Sequence, residues 1–143
     1  MATQPMYYGS LYFTTTAVTN NLANTPIKAA GETLGVNCYG FSHSTNRLTY
    51  TGNTGRTFAI DCAFSVSCSG ATQSIMHLYK NGEAIPGAHI ERKIGTGGDI
   101  GAGSVIGLVR LKKDDYVELW CETDADADDM TVERGMLRAT VAG

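Results

Sequence analysis

The sequence predicts an all-β protein built as two packed antiparallel sheets, and three observations support that expectation. Between Arg56 and Cys68 the residues Phe58, Ile60, Cys62, Phe64, Val66 and Cys68 all fall on even positions with small or polar residues between them. This period of two is the signature of a long half-buried strand. The chain also carries 17 Gly against 3 Pro, with frequent Thr, Ser and Asn, a composition suited to short strands joined by tight turns. No segment shows an apolar stripe of 3.6-residue period, so helices would have no seam to pack on.

In chain order, Leu11-Tyr12-Phe13 is the first strand candidate, leading into a run of Thr. Arg47 to Thr51 is the next, halted by the turn Gly52-Asn53-Thr54-Gly55. Arg56 to Cys68 follows. At ~3.3 Å per residue its two cysteines, Cys62 and Cys68, stand about 20 Å apart, well beyond the ~7 Å reach of a disulfide. Ser74 to Lys80 is closed by Asn81-Gly82, the best short hairpin signal in the chain. His89 to Ile94 is a further short strand, and Val105 to Leu111 is an almost continuous apolar run ended by Lys112-Lys113-Asp114-Asp115. Tyr116 to Glu122 alternates, with Val117, Leu119 and Cys121 on one face and Tyr116, Glu118, Trp120 and Glu122 on the other. Period two shows which residues share a face, not which face is inside. Met130 to Val141 supplies the last strand.

A chain of 143 residues corresponds to one domain on the usual scale of ~100–200 residues. With 11 Lys and Arg against 14 Asp and Glu the net charge is −3, so nucleic-acid partners, which need many cationic groups, are not expected. Charged residues are only 17% of the chain against a typical ~25%, and weakly charged surfaces tend to meet other subunits. No stretch approaches the ~20 apolar residues of a helical membrane span, and no membrane partner is expected. Met1-Ala2-Thr3-Gln4-Pro5 has neither a basic region nor a following apolar run, which points to synthesis in a reducing cytoplasm. Cys38, Cys62, Cys68 and Cys121 are therefore expected as thiols.

Catalytic and cofactor signatures are absent or incomplete. Gly95 to Gly103 contains no G-x-G-x-x-G register and no P-loop Lys-Ser/Thr, so it reads as a flexible or closely packed loop. Ser42-His43-Ser44 lacks a nucleophile elbow. The cysteines and His43, His77 and His89 show no C-x2-4-C or H-x3-5-H spacing, so zinc is not expected. Asp124, Asp126 and Asp128, two residues apart, match the opening of an EF-hand loop as candidate calcium ligands. The sixth-position Gly and the twelfth-position Glu are missing, and a solvated acidic loop is the competing reading. No enzyme and no cofactor are expected.

Taken together, Asn24-Thr25-Pro26-Ile27-Lys28, Phe41 to Gly52, Arg56-Thr57-Phe58, Lys80-Asn81-Gly82 and Asp115 to Trp120 resemble the tumour-necrosis-factor/complement-C1q-like jelly-roll domains of tailed-phage virion proteins. The resemblance runs from about Tyr8 to Val141. It implies a two-sheet antiparallel jelly-roll sandwich assembling as a homotrimer, with no catalytic residues to carry over. The chain departs from the family pattern at Asp114, where a glycine is common, and at the acidic loop of Asp124, Asp126, Asp128 and Asp129.

On this basis residues 1–6 are expected to form a short arm before a single jelly-roll domain spanning residues 7–143. The expected role is a capsid decoration or cement protein of the virion, made in the host bacterial cytoplasm. Its partners would be its own copies and the major capsid protein, contacted through Thr3, Gln4 and Pro5. Tyr79, Tyr116 and Trp120 are the expected subunit-interface residues, because an exposed Tyr-Trp pair on a lone chain would be an apolar patch without purpose. The alternative is a receptor-binding head of a tail or head fibre, recognising a host surface receptor or glycan. Thiol titration of the freshly purified, unfolded protein is expected to count four reactive cysteines, and a lower count would contradict the reducing-compartment reading.

Overall fold

Alternation becomes strand throughout the computed structural model, which describes residues 6–14, 17–19, 23–29, 31–95, 98–124 and 129–143, with the backbone alone for 17–19. Among these residues the strands are β1 (Tyr8–Phe13), β2 (Ala17–Thr19), β3 (Ile27–Lys28), β4 (Thr33–Tyr39), β5 (Phe41–Ser44), β6 (Arg47–Tyr50), β7 (Arg56–Cys68), β8 (Thr72–Lys80), β9 (Glu83–Ile94), β10 (Gly101–Leu111), β11 (Tyr116–Thr123) and β12 (Met130–Val141). One sheet has the order β10-β7-β12-β1-β4, with β2 added to β12. The other has the order β5-β6-β11-β8-β9, with β3 added to β11. The pairing is antiparallel. From β6 onward the chain passes repeatedly between the sheets, which is the jelly-roll sandwich that the resemblance implied.

The core lies between the sheets, and period two decides what enters it. Phe58, Ile60, Cys62, Phe64 and Val66 of β7 are buried, as are Val117, Leu119 and Cys121 of β11. Burial pushes the Cys62 thiol up to about 12, with Asp61 adding to the effect, so Cys62 packs as a small hydrophobe. Cys38 is exposed on β4, and Cys68 is intermediate.

Arg56–Cys68 and Met130–Val141 have the boundaries that alternation predicts. Other strands begin earlier than expected. The strand ending at Ile94 starts at Glu83, because an edge strand can hold Pro86 and a positive-φ Gly87 where a central one cannot. Part of the expected glycine loop is strand, since β10 begins at Gly101. Its inward glycines make room for β9: a Cβ on Gly107 would stand 2.9 Å from Ala88 Cβ. At the opposite edge, a Cβ on Gly35 would stand 2.6 Å from His43 Cβ, so glycine there lets β5 close over β4. Strands β2 and β3 are too short to show a period.

The β5–β6 turn is held from inside. Asn46 is fully buried at φ 48°, a left-handed conformation that Asn tolerates better than most residues. Its Nδ2 donates to Ala29 O at 2.9 Å and Leu119 O at 3.0 Å, and its Oδ1 accepts from Leu119 N at 3.3 Å. Its own N–H donates to Thr33 Oγ1 at 2.8 Å. Asn46→Ala would take the amide partner from Ala29 O and Leu119 N and strain the turn, at a cost of about 3 kcal/mol. A denaturant midpoint shift worth less than about 1 kcal/mol would show that water takes over the amide's role.

Candidate functional site

The two sheets turn opposite chemistry to the outside. On β8 and β11 the outward side chains, Ile75 apart, are polar or aromatic, and most are already bonded within the chain. Glu118, only 2% exposed, accepts from Arg47 Nε at 2.7 Å, Lys28 Nζ at 2.9 Å and Trp120 Nε1 at 3.0 Å. Burial pushes its carboxyl up, but the hydrogen bonds from Lys28, Trp120 and Arg47 and the Lys28 charge outweigh it and hold it below the usual glutamate range. Trp120 stacks on Tyr79 with ring centroids 4.2 Å apart at 4°, and the Arg47 guanidinium lies 3.8 Å over the Tyr116 ring. Next along the face, His77 Nε2 meets Glu122 Oε1 at 2.6 Å.

The three expected interface residues therefore share this outward face, and Val117, Leu119 and Cys121 point inward. Tyr79 is only 9% exposed, so ring stacking already covers much of this aromatic surface. Asp124 bonds locally, with its Oδ1 accepting from Thr72 Oγ1 at 2.6 Å and from Gln73 N at 3.0 Å. These bonds hold its carboxyl below the usual range. Asp126 and Asp128 lie outside the described residues, as do Thr3, Gln4 and Pro5. Among the described residues no group of three His, Cys, Asp or Glu side chains is placed to hold a metal.

The sheet β10-β7-β12-β1-β4 presents apolar side chains to solvent. Ile106 and Leu108 on β10 are 71% and 66% exposed, and Tyr8, Leu34, Tyr39 and Met136 are also exposed. Register aligns them in rows. Leu34, Tyr12, Met136, Ala63 and Ser104 cross the sheet in one row, and Tyr39, Tyr8, Thr140, Ala59 and Leu108 in another. Where the register shifts between Val132 and Arg134, the face holds a hollow of about 510 Å³ lined by Tyr12, Phe13, Ala63, Phe64, Arg134 and Met136, among others. Sequence reading missed this face. Its signal was the almost continuous apolar run Val105 to Leu111, since apolar residues of both parities mark a strand covered on both faces.

No family model matches the chain, and no curated protein matches its sequence. Solved structures do match. Murine APRIL at pH 5.0 superposes with a TM-score of 0.61 at 7% identity, over 94% of this chain and 99% of that chain. Murine APRIL at pH 8.0 gives 0.57 at 9% identity, over the same shares. Eiger TNF from S. frugiperda gives 0.61 at 11% identity, over 97% of this chain and 94% of that one. What is shared at such identities is the fold, and the chain is a TNF-like jelly roll.

Because the Glu118 carboxyl is depressed in the folded state, its contribution to stability is present above the ordinary glutamate pKa and is lost as pH falls through the depressed value. Glu118→Gln is expected to flatten that acid limb when unfolding free energy is measured against pH. An unchanged acid limb would mean that the ion pairs contribute no pH-dependent stability.

Proposed function

We propose that this chain is a non-enzymatic virion structural protein that assembles as a homotrimer and decorates or cements a phage capsid. The observation behind the reading is the apolar outer face of β10-β7-β12-β1-β4. A face so apolar on a chain with few charges is a surface to be covered. Five strands of 6 to 13 residues present roughly 800 Å² at ~4.8 Å between strands and ~3.3 Å per residue. That is close to what each partner gives to a standard interface. The TNF-like fold and the resemblance to phage virion domains support the trimer. The engagement of Glu118, His77 and Asp124 in local bonds favours a structural role over catalysis.

The capsid contact is assigned to residues 1–6, through Thr3, Gln4 and Pro5. Three arms per trimer raise avidity through effective concentration, so each contact can be weak. The trimer then bridges capsid subunits against the pressure of packaged DNA. The purified protein is expected to sediment at three times its chain mass and to bind expanded capsids. Deleting residues 2–6 is expected to leave the trimer intact and abolish that binding. A monomer at micromolar concentration would refute the assembly, and undiminished capsid binding by the deletion variant would remove the arm from the mechanism. Labelled protein seen by electron microscopy at the tail tip would assign the receptor-binding role instead.

A further inference from the structure

One charged pair sits in the middle of the apolar face. Arg138 on β12 and Asp61 on β7 are directly opposed in register, and Arg138 Nε donates to both carboxylate oxygens, at 2.7 and 2.9 Å. Their row crosses the sheet as Val36, Ser10, Arg138, Asp61 and Ile106. Met136 and Ala63 flank the pair on one side, and Thr140 and Ala59 on the other. In the single chain both side chains reach solvent, at 62% and 32% exposure, and a surface pair of this kind adds little to a fold.

We infer that the Arg138–Asp61 pair is the register and specificity determinant of self-association, buried when a second copy of this chain covers the face. The inference rests on the self-assembly proposed above. Three features of the face favour another copy as its occupant. Ile106 and Leu108 form an apolar ridge on an edge strand, while the hollow at the β12 bulge is a shallow, mostly apolar depression with Arg134 in its lining on the same sheet. A ridge and a hollow on different patches of one chain make a heterologous contact, which closes into a ring when the rotation allows. The pair neutralises itself at the centre of the face, with Arg134 at the hollow and Arg110 on β10 as further exposed cations towards its margins, so two copies meet at the centre without repulsion. The whole sheet face, roughly 800 Å² by strand spacing, is the size that one partner gives to a standard interface, here shared between the two contacts that a ring requires. Once covered, the two ions lose their water, and their hydrogen bonds and mutual attraction are what make that loss tolerable. A partner that displaces either ion, or a copy docked out of register, leaves a charge buried alone.

The test measures association by sedimentation over a dilution series, with near-ultraviolet circular dichroism and thermal unfolding of the dilute chain as controls for folding. Asp61→Asn and Arg138→Gln are each expected to weaken association at least about 30-fold, the cost of leaving one buried charge unpaired. Melting of the dilute chain should be almost unchanged. The reversed pair, Asp61→Arg with Arg138→Asp, should recover most of the lost association. Ile106→Asp should dissolve the assembly whatever the pair contributes. If the wild type and both single variants assemble equally while Ile106→Asp does not, the face is the interface but the role of the pair is refuted. If the wild type is a monomer, or Ile106→Asp assembles normally, the reading of the face fails and the inference fails with it.

Discussion

The side-chain amide of Asn46 is the point on which one half of the sandwich depends. From inside the β5–β6 turn it bonds to the chain that follows β3, at Ala29, and to the centre of β11, at Leu119, while its backbone N–H reaches β4 at Thr33. A turn closed only by its own backbone would leave the carbonyl of Ala29 without this donor in a water-free place, and buried polar groups are costly when unpaired. The left-handed φ of Asn46 serves the same end, since it is the conformation that aims the amide inward. Asn46 therefore ties the turn to β11 and to Thr33 of β4, and it adds to the backbone ladder by which β3 already pairs with β11.

From β11 outward, the two faces of the molecule follow different rules. On β8 and β11, charged and aromatic groups satisfy one another: Glu118 binds Lys28, Arg47 and Trp120, Tyr79 stacks on Trp120, and His77 meets Glu122. Such a face is largely complete within one chain. On the other sheet six large apolar side chains stand exposed among scattered polar ones, and among the described residues only Asp61 and Arg138 form an ion pair there. Both sheets share one core, so the asymmetry lies wholly in their outward faces.

Both open edges of the sandwich rely on small residues. Gly35 admits His43 at one edge, and Gly107 admits Ala88 at the other. The edge strand β9 carries Pro86 and the positive-φ Gly87, which interrupt the row of backbone donors available to a passing strand. The edge strand β10 carries no proline and instead projects Ile106 and Leu108, so the same side of the molecule combines a blunted edge with an apolar one.

Much of the fold was legible in the sequence because period two is written residue by residue. Arg56–Cys68 and Met130–Val141 were readable to the residue, and so was the grouping of Val117, Leu119 and Cys121 against Tyr116, Glu118, Trp120 and Glu122. Local pattern could not decide which group lies inside, because a one-residue change of register or a partner on the other side reverses the answer. It also could not show that Trp120 is covered by Tyr79, a neighbour forty-one positions earlier in the chain, or that Asp61 lies against Arg138, seventy-seven positions away. Apart from the apolar run of β10, the face is composed of one or two outward residues each from β1, β4 and β12, which give no signal in their own strands. It exists only once antiparallel register has brought them side by side, and that register was decided by long-range pairing between strands, which no local window of sequence contains.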